Sequence, residues 1–594
     1  MPIPLLPYPK KLTETGGFFN TKQCAVTVQP GMDRRVVKKA AALKTALDQA
    51  DNTCHLFLPS AGNSGQISVC LNPGLKPEAY TLHILPKKIE LWGGSAAGCF
   101  YGLQTLQQLI TLYKGELPTL CINDAPDFAY RGFYHDATRG RVPTVAGLKK
   151  IIDRLAALKI NSLQLYVEHC FDFKEFENAD RTPNDYLTAA ELLELDDYCY
   201  ENFIDFVPSL ATFGHLYELL NLKEYRPLCE LQNFKPQSHF WHERMRHHTI
   251  DPLNPKSFEL VCSLINQYLP LFRSGYFNIC CDETFDLTRG KNAGKDAGRL
   301  YCDFVNKLIQ FVTQKGKKVM MWGDIALRHR EALKNIPQST LFLNWDYGPN
   351  PLQQNVTTVK NSGFQQIVCP GTSAWARLIE NPQIAVPNIL KMADYGRQAG
   401  ALGLLNTNWG DYGHPAPFAC SLFGTCVGAS AAWNAETAVD ADFEQAVSLL
   451  VYQTKTNLVP LIFAVSAAQN TAAWGQFFNW AQTRSSAEFQ STAEEIEGSV
   501  QALEQALLTL QGLTGQGKNA VLQRLTTAAE GILLLNKAAL RLKNNQPTAP
   551  LKPQAQSFLA AYRAQWLEEC KSSELNEIEQ FILNIFTPQP TPKI

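Results

Sequence analysis

Net charge is the first thing this sequence lacks: 54 Lys and Arg stand against 55 Asp and Glu, a formal −1. Such a balance supplies no basic field to draw nucleic acid or an anionic membrane, so the expected partner is uncharged. Long hydrophobic runs are also missing. Even Ile532–Leu535 is closed off by Asn536 and Lys537, and no stretch is apolar for long enough to cross a bilayer. The first ten residues break their apolar positions with four prolines and carry no basic segment ahead of an unbroken hydrophobic stretch. They do not read as a signal peptide. Cysteine is not scarce, at 16, but the paired Cys-x-x-Cys spacing of a zinc site is absent. Scattered in this way, the cysteines read as mostly free, buried thiols of a reducing compartment, and the chain is expected to be cytoplasmic. Charged residues are few as well, 18% against 45% hydrophobic, which excludes a disordered chain.

What is present is enough length, 594 residues, for several domains at about 100 to 200 residues each. Residues 1–125 mix alternating runs, such as Tyr80–Leu85 and Ile89–Trp92, with helical stretches at Val37–Asp48 and Tyr101–Leu112, and predict a small α/β domain. Residues 126–434 change to short β-rich runs separated by amphipathic helices. Eight such runs stand out: Tyr130–Asp136, Ser162–Val167, Ile204–Pro208, Tyr276–Asp282, Lys317–Trp322, Ser339–Trp345, Gln365–Pro370 and Leu402–Trp409. Between the first two, Leu148, Ile151, Ile152, Leu155 and Leu158 share a helical face behind a Thr144 N-cap. A further helix opens at Thr188 with Glu191 three residues on, a capping box. The fold class is α/β, and eight βα units predict a (β/α)8 TIM barrel with its site where the strands end. A doubly wound open sheet is the alternative. Residues 435–594 are helical, with Ile496, Val500, Leu503, Leu507 and Leu510 in one stripe and a second helix over Asn519–Lys543. These stripes read as core; the length of the region leaves a homodimer surface open there.

Polar and aromatic residues recur at the predicted strand ends. Strand four ends Phe277-Asn-Ile-Cys-Cys-Asp-Glu-Thr284, which puts Asp282 and Glu283 together where the apolar run stops. A strand alternates its faces, so the two carboxylates point apart unless the chain is already turning. Two acids in different environments can divide the work, one donating a proton while the other stays ionised. A solvated Asp-Glu in a loop is the plain alternative. Strand five ends Met321-Trp-Gly-Asp324, strand six Asn344-Trp-Asp-Tyr347, strand eight Asn408-Trp-Gly-Asp-Tyr412, and strand seven leads into Pro370-Gly-Thr-Ser-Ala-Trp375. Four of only ten tryptophans, Trp322, Trp345, Trp375 and Trp409, therefore fall at these ends. Together they suggest an aromatic-walled pocket, since sugar rings offer C–H faces for stacking while carboxylates bind hydroxyls.

The ordered set Asp124-Ala-Pro-Asp-Phe-Ala-Tyr-Arg-Gly132, Asp136, Gly214-His215, Asp282-Glu283 and Trp409-Gly-Asp411 resembles the family 20 β-N-acetylhexosaminidases. Gly98-Cys-Phe-Tyr-Gly-Leu-Gln-Thr-Leu-Gln-Gln108 resembles the end of that family's accessory N-terminal domain. The resemblance covers about residues 1–435 and leaves the helical C-terminal region unmatched. It implies a glycan or amino-sugar substrate, no metal and no cofactor, and a retaining mechanism in which the substrate's own 2-acetamido oxygen attacks the anomeric carbon, an exception to the two-carboxylate rule. It implies further that Glu283 is the general acid and then base, and that Asp282 orients the acetamido N–H. Arg131 would hold sugar hydroxyls through its planar fork, Trp409 would stack on the ring, Asp411 would accept from the far hydroxyls, Trp322 and Trp345 would wall the acetamido pocket, and His215 would support the site.

Two segments depart from the family pattern. After strand two, Tyr166-Val-Glu-His-Cys-Phe-Asp172 brings Glu168 and His169 where common members carry His-x-x-Asp-Asp. The strand-seven tyrosine that binds the acetamido carbonyl is not evident; Trp375 lies near its place and Tyr347 is the substitute. These departures leave N-acetylglucosamine, N-acetylgalactosamine and a sulfated derivative open as substrates. Three other readings stay open: a metal hydrolase built on His169, His215, Asp282 and Glu283; a non-catalytic carbohydrate-binding protein on the same scaffold; and a glycosidase whose nucleophile is Glu168 or Asp411, about 5 to 5.5 Å from Glu283.

Overall fold

The computed structural model describes residues 2–21, 24–48, 55–57, 66–515, 517 and 519–587. The alternating run at Tyr80–Leu85 forms a strand whose first, third and fifth residues are buried, paired antiparallel with Lys88–Gly93 and Glu116–Asp124. These belong to a seven-stranded mixed sheet, and helix Ala96–Tyr113 packs on it. The close approach needs a glycine: a Cβ on Gly102 would lie 2.2 Å from Leu91 Cδ1.

Eight parallel strands follow: β1 Tyr130–Asp136, β2 Ser162–Tyr166, β3 Asp205–Val207, β4 Tyr276–Asn278, β5 Lys318–Trp322, β6 Leu341–Trp345, β7 Gln366–Cys369 and β8 Gly403–Asn408. Each lies within one of the eight predicted runs. Neighbours in sequence are neighbours in the sheet, and β8 returns to pair with β1 from Gly403↔Tyr130 to Asn408↔His135. A bridge between Ser209 and Asn278 joins the β3 and β4 ends, so the sheet is a closed barrel and not the open alternative. Thr144 caps helix Val145–Ala157, and Thr188 and Glu191 make the reciprocal box that opens Ala189–Glu201.

β4 is shorter than its apolar run. It stops at Asn278 because Cys280 and Cys281 take left-handed backbone, φ 55° and 64°, which ends the pleat and with it the alternation of faces. Both thiols are buried and hydrogen-bonded, Cys280 to Ser209 and Cys281 to Thr212.

Helices Ala493–Thr514 and Ala520–Lys543 pack on each other and bury Ile496, Val500, Leu503, Leu507 and Leu510 within the chain. The same region sits on the barrel. Lys571 N donates to Val142 O at 2.8 Å, Thr144 N to Glu569 O at 2.9 Å, and the buried Arg141 guanidinium to Tyr562 Oη at 3.1 Å. No helix among the described residues is long and apolar enough to cross a membrane.

Candidate active site

The C-terminal ends of the strands converge on one pocket. At the end of β1 the buried Asp136 accepts from the backbone N–H of Thr138 (2.9 Å), Arg139 (3.0 Å) and Gly410 (3.0 Å), locking the turn after β1 to the one after β8. That turn delivers Arg139. Its Nη1 donates to Asp411 Oδ1 at 2.6 Å, its Nε lies 3.6 Å from Glu168, and its guanidinium lies over the rings of Tyr166 and Trp409. Burial raises the Asp411 carboxyl to about 6 despite that cation. Burial would raise Glu168 too, but His169, Arg139 and His215 outweigh it and bring the group down to about 2. The His169 Nδ1 stands 3.7 Å from Glu168. Tyr166 Oη gives Glu168 a hydrogen bond at 2.8 Å.

Past β4 the chain is still turning, with Glu283 at φ 45°, so Asp282 and Glu283 leave a turn and not a pleat. Both carboxylates reach the same imidazole: His215 Nε2 is 3.4 Å from Asp282 Oδ2 and 3.3 Å from Glu283 Oε2. Burial opposes charge on His215, but Asp282 and Glu283 win and raise it to about 10, so it is an imidazolium at neutral pH. Its ring stacks on His248, which burial and the His215 charge keep neutral and whose Nδ1 accepts from His215 N at 2.8 Å. Gly214 explains itself by contact: a Cβ there would lie 2.5 Å from Asp282 O. Burial raises Glu283, yet His215 outweighs it and the net shift is downward. Glu283 N donates to Asp324 Oδ2 at 3.1 Å.

Aromatic side chains wall the space above these acids. Trp322 is buried against Tyr134, with Trp409 5.8 Å away between ring centres. Trp345 and Tyr347 stack at 5.1 Å, and Trp375 meets Tyr347 at 5.2 Å. The Tyr347 hydroxyl accepts from Trp409 Nε1 at 2.8 Å and is also hydrogen-bonded with the Thr407 side chain. The cavity these rings wall is about 140 Å³ and is lined as well by Arg139, Met245, Asp282, Glu283 and Asp411.

Two family descriptions match the chain, "Glycosyl hydrolase family 20, catalytic domain" over residues 128–386 and "Glycosyl hydrolase family 20, domain 2" over 2–125. Together they take up well over half of it. The chain belongs to glycosyl hydrolase family 20. Among relatives of this family 20 chain, a β-hexosaminidase of Porphyromonas gingivalis is 26% identical over 360 residues, 54% of this chain and 45% of that protein. A β-hexosaminidase of Akkermansia muciniphila is 25% identical over 349 residues, 52% of this chain and 66% of that one. The matched segment thus spans about half to two thirds of these relatives' length. In fold, the chain resembles the Flavobacterium johnsoniae chitobiase with a TM-score of 0.64 at 19% identity, over 98% of this chain and 99% of that one, C-terminal helices included.

Against the family 20 motifs, two assignments have to be corrected. Arg131 is not in the pocket. It is the second residue of β1, at the opposite end of the barrel, fully buried, with its guanidinium on Glu78 (2.8 and 3.0 Å), Phe128 O and Lys159 O. A parallel barrel separates its two ends by the full strand length, so an arginine that opens a strand cannot reach a site at its close. The cation at the site is Arg139, which motif reading passed over; its signal was an arginine three residues past Asp136, at a strand end like the other polar positions. His169 is also outside the aromatic pocket and lines a neighbouring cavity with Glu218 and Arg244. Glu168 reaches the site through Arg139. Asp282, Glu283, His215, Trp322, Trp345, Tyr347, Trp375, Trp409 and Asp411 are gathered around one space.

Proposed function

We propose that this chain is a retaining exo-β-N-acetylhexosaminidase, removing terminal β-linked N-acetylglucosamine or N-acetylgalactosamine from glycans. The observation that carries this reading is the adjacent Asp282 and Glu283, turned out of β4 onto one imidazolium at the wall of a small tryptophan-lined cavity. In the first step the 2-acetamido oxygen attacks C1 while the bond from C1 to the leaving oxygen breaks, and Glu283 passes its proton to that oxygen. Asp282 accepts from the acetamido N–H and stabilises the positive oxazolinium. The Tyr347 hydroxyl suits the acetamido oxygen, and Trp322, Trp345 and Trp409 exclude water around it. Arg139 and Asp411 suit the hydroxyls at the far edge. Water then attacks C1 from the face the leaving group vacated and gives a proton to Glu283, while the bond from C1 to the acetamido oxygen breaks and its electrons restore the acetamide, with net retention. Glu168 and Asp411, the candidate protein nucleophiles, are both engaged by Arg139.

A general acid must hold a proton, and His215 favours the ionised form of Glu283. In this reading a neutral sugar bound against Glu283 deepens its burial and restores the proton. The ionised resting state also favours a second reading, a sugar-binding pocket without turnover. One assay separates them: nitrophenol release from the β-linked N-acetylglucosaminide, its 6-sulfate, the N-acetylgalactosaminide, the glucoside and the galactoside. Turnover of the acetamido sugars alone, lowered by roughly two to four orders of magnitude in Glu283→Gln, is expected. Binding without release from any of them would leave the second reading.

A further inference from the structure

Glu283 sits at φ 45°, in a region that a side chain of its size does not hold unaided. What holds it comes from the next strand. β5 ends at Trp322, and Asp324, at the start of the short helix Asp324–Arg328, accepts the Glu283 N–H at 3.1 Å. The other oxygen of that carboxylate, Oδ1, is buried and has no hydrogen-bond partner. We propose that Asp324 is a positioning residue for the reaction assigned above, holding Glu283 in its left-handed turn through the Glu283 N–H. The inference rests on the proposed function, because it concerns the acid of that reaction.

The surroundings of Asp324 support it. From the β4 end it faces Asp282, Glu283 and the Cys281 thiol; Tyr301 faces it from helix Ala297–Gln314, and Arg328 from its own helix. Burial first and Asp282 second push the Asp324 carboxyl up to about 7, while Glu283 is shifted downward, so Asp324 is still protonated where Glu283 ionises and acts through its hydrogen bond and not its charge. An orphaned buried oxygen fits a carboxyl that takes up a proton.

The test compares Asp324→Asn and Asp324→Ala with the unaltered chain, reading kcat and kcat/KM for the nitrophenyl N-acetylglucosaminide across pH, with melting curves alongside. Asn keeps an oxygen for the Glu283 N–H and removes only the charge. It should retain kcat and KM within a few-fold. Ala removes the hold and should lose about a hundredfold in kcat with KM little changed, the effect of a misplaced catalytic group. A loss in Asp324→Asn as large as in Asp324→Ala, or an Ala loss that only follows a lowered melting temperature, overturns the inference. If the unaltered chain turns over no acetamido sugar, the proposed function falls and this inference with it; normal turnover in both the unaltered chain and Asp324→Ala removes the inference alone.

Discussion

Two arginines eight residues apart have opposite duties. Arg131 carries the family motif and is structural; Arg139 carries no motif the sequence reading used and borders the pocket. Arg139→Ala should raise KM for the acetamido sugars and also lower stability, because it strips the buried Glu168 carboxylate and that of Asp411 of their cation. Arg131→Ala should leave KM unchanged in the folded protein and lower stability by about 1 to 3 kcal/mol, the usual cost of leaving buried acceptors such as the Phe128 and Lys159 carbonyls without a donor. Steady-state kinetics paired with urea unfolding distinguishes them, and a normal KM in Arg139→Ala would remove it from substrate binding. Asp282 and Glu283 were legible because an acid pair closing an apolar run is unusual wherever it occurs. Arg139 was not, because only the Asp136 turn, fastened across to Gly410, brings it inward.

Among the elements, the eight strands and their caps could be read from periodicity, because the register of apolar residues is a local property. The stop of β4 at Asn278 could not. Phe277 to Cys281 is apolar enough to continue, and the chain turns at Cys280 because their thiols find Ser209 and Thr212, on the segment that follows β3. The same segment explains Gly214. Gly214→Ala would drive a Cβ toward Asp282 O, 2.5 Å away, so the backbone under the acid pair must shift. A loss of about 1 to 3 kcal/mol, as for other overpacked sites, should come with a fall in kcat larger than any change in KM. Thermal melting and kinetics read the two, and wild-type kinetics in this variant would mean that the turn tolerates the shift.

Across the whole molecule, the N-terminal sheet and the C-terminal helices both brace the barrel. Asp124, in the motif that opens the barrel, accepts from Tyr80 Oη (2.7 Å), Lys159 Nζ (3.3 Å) and Trp433 Nε1 (3.0 Å), so that motif joins regions and makes no site. On the other side Glu574 takes Arg244 Nη2 at 2.7 Å and Trp474 Nε1 donates to Tyr412 O at 3.2 Å, steadying the segments that carry Met245 and Asp411. Stability should depend on pH through His215. Its folded value of about 10 stands above the ordinary 6.5, so its contribution is complete below pH 6.5 and is lost as pH rises toward 10. Glu283, shifted downward, contributes in the opposite sense, above its ordinary value, and loses that contribution as pH falls. The melting temperature should decline from pH 6.5 to 10 more steeply in the unaltered chain than in His215→Gln; parallel curves would mean that His215 is not charged in the folded protein.

By itself the sequence determined the classes of element, the barrel, the acid pair and the tryptophans at the strand ends, since each is written in local spacing and residue type. Tertiary structure alone decided which arginine borders the pocket, that His169 turns to a separate cavity, and that Asp282, Glu283 and His215 share one charge cluster. Those facts depend on which turns are tied together across the barrel mouth, by Asp136 to Gly410 and by Glu283 to Asp324. Such ties join residues dozens to hundreds of positions apart, and no periodicity in the chain records them.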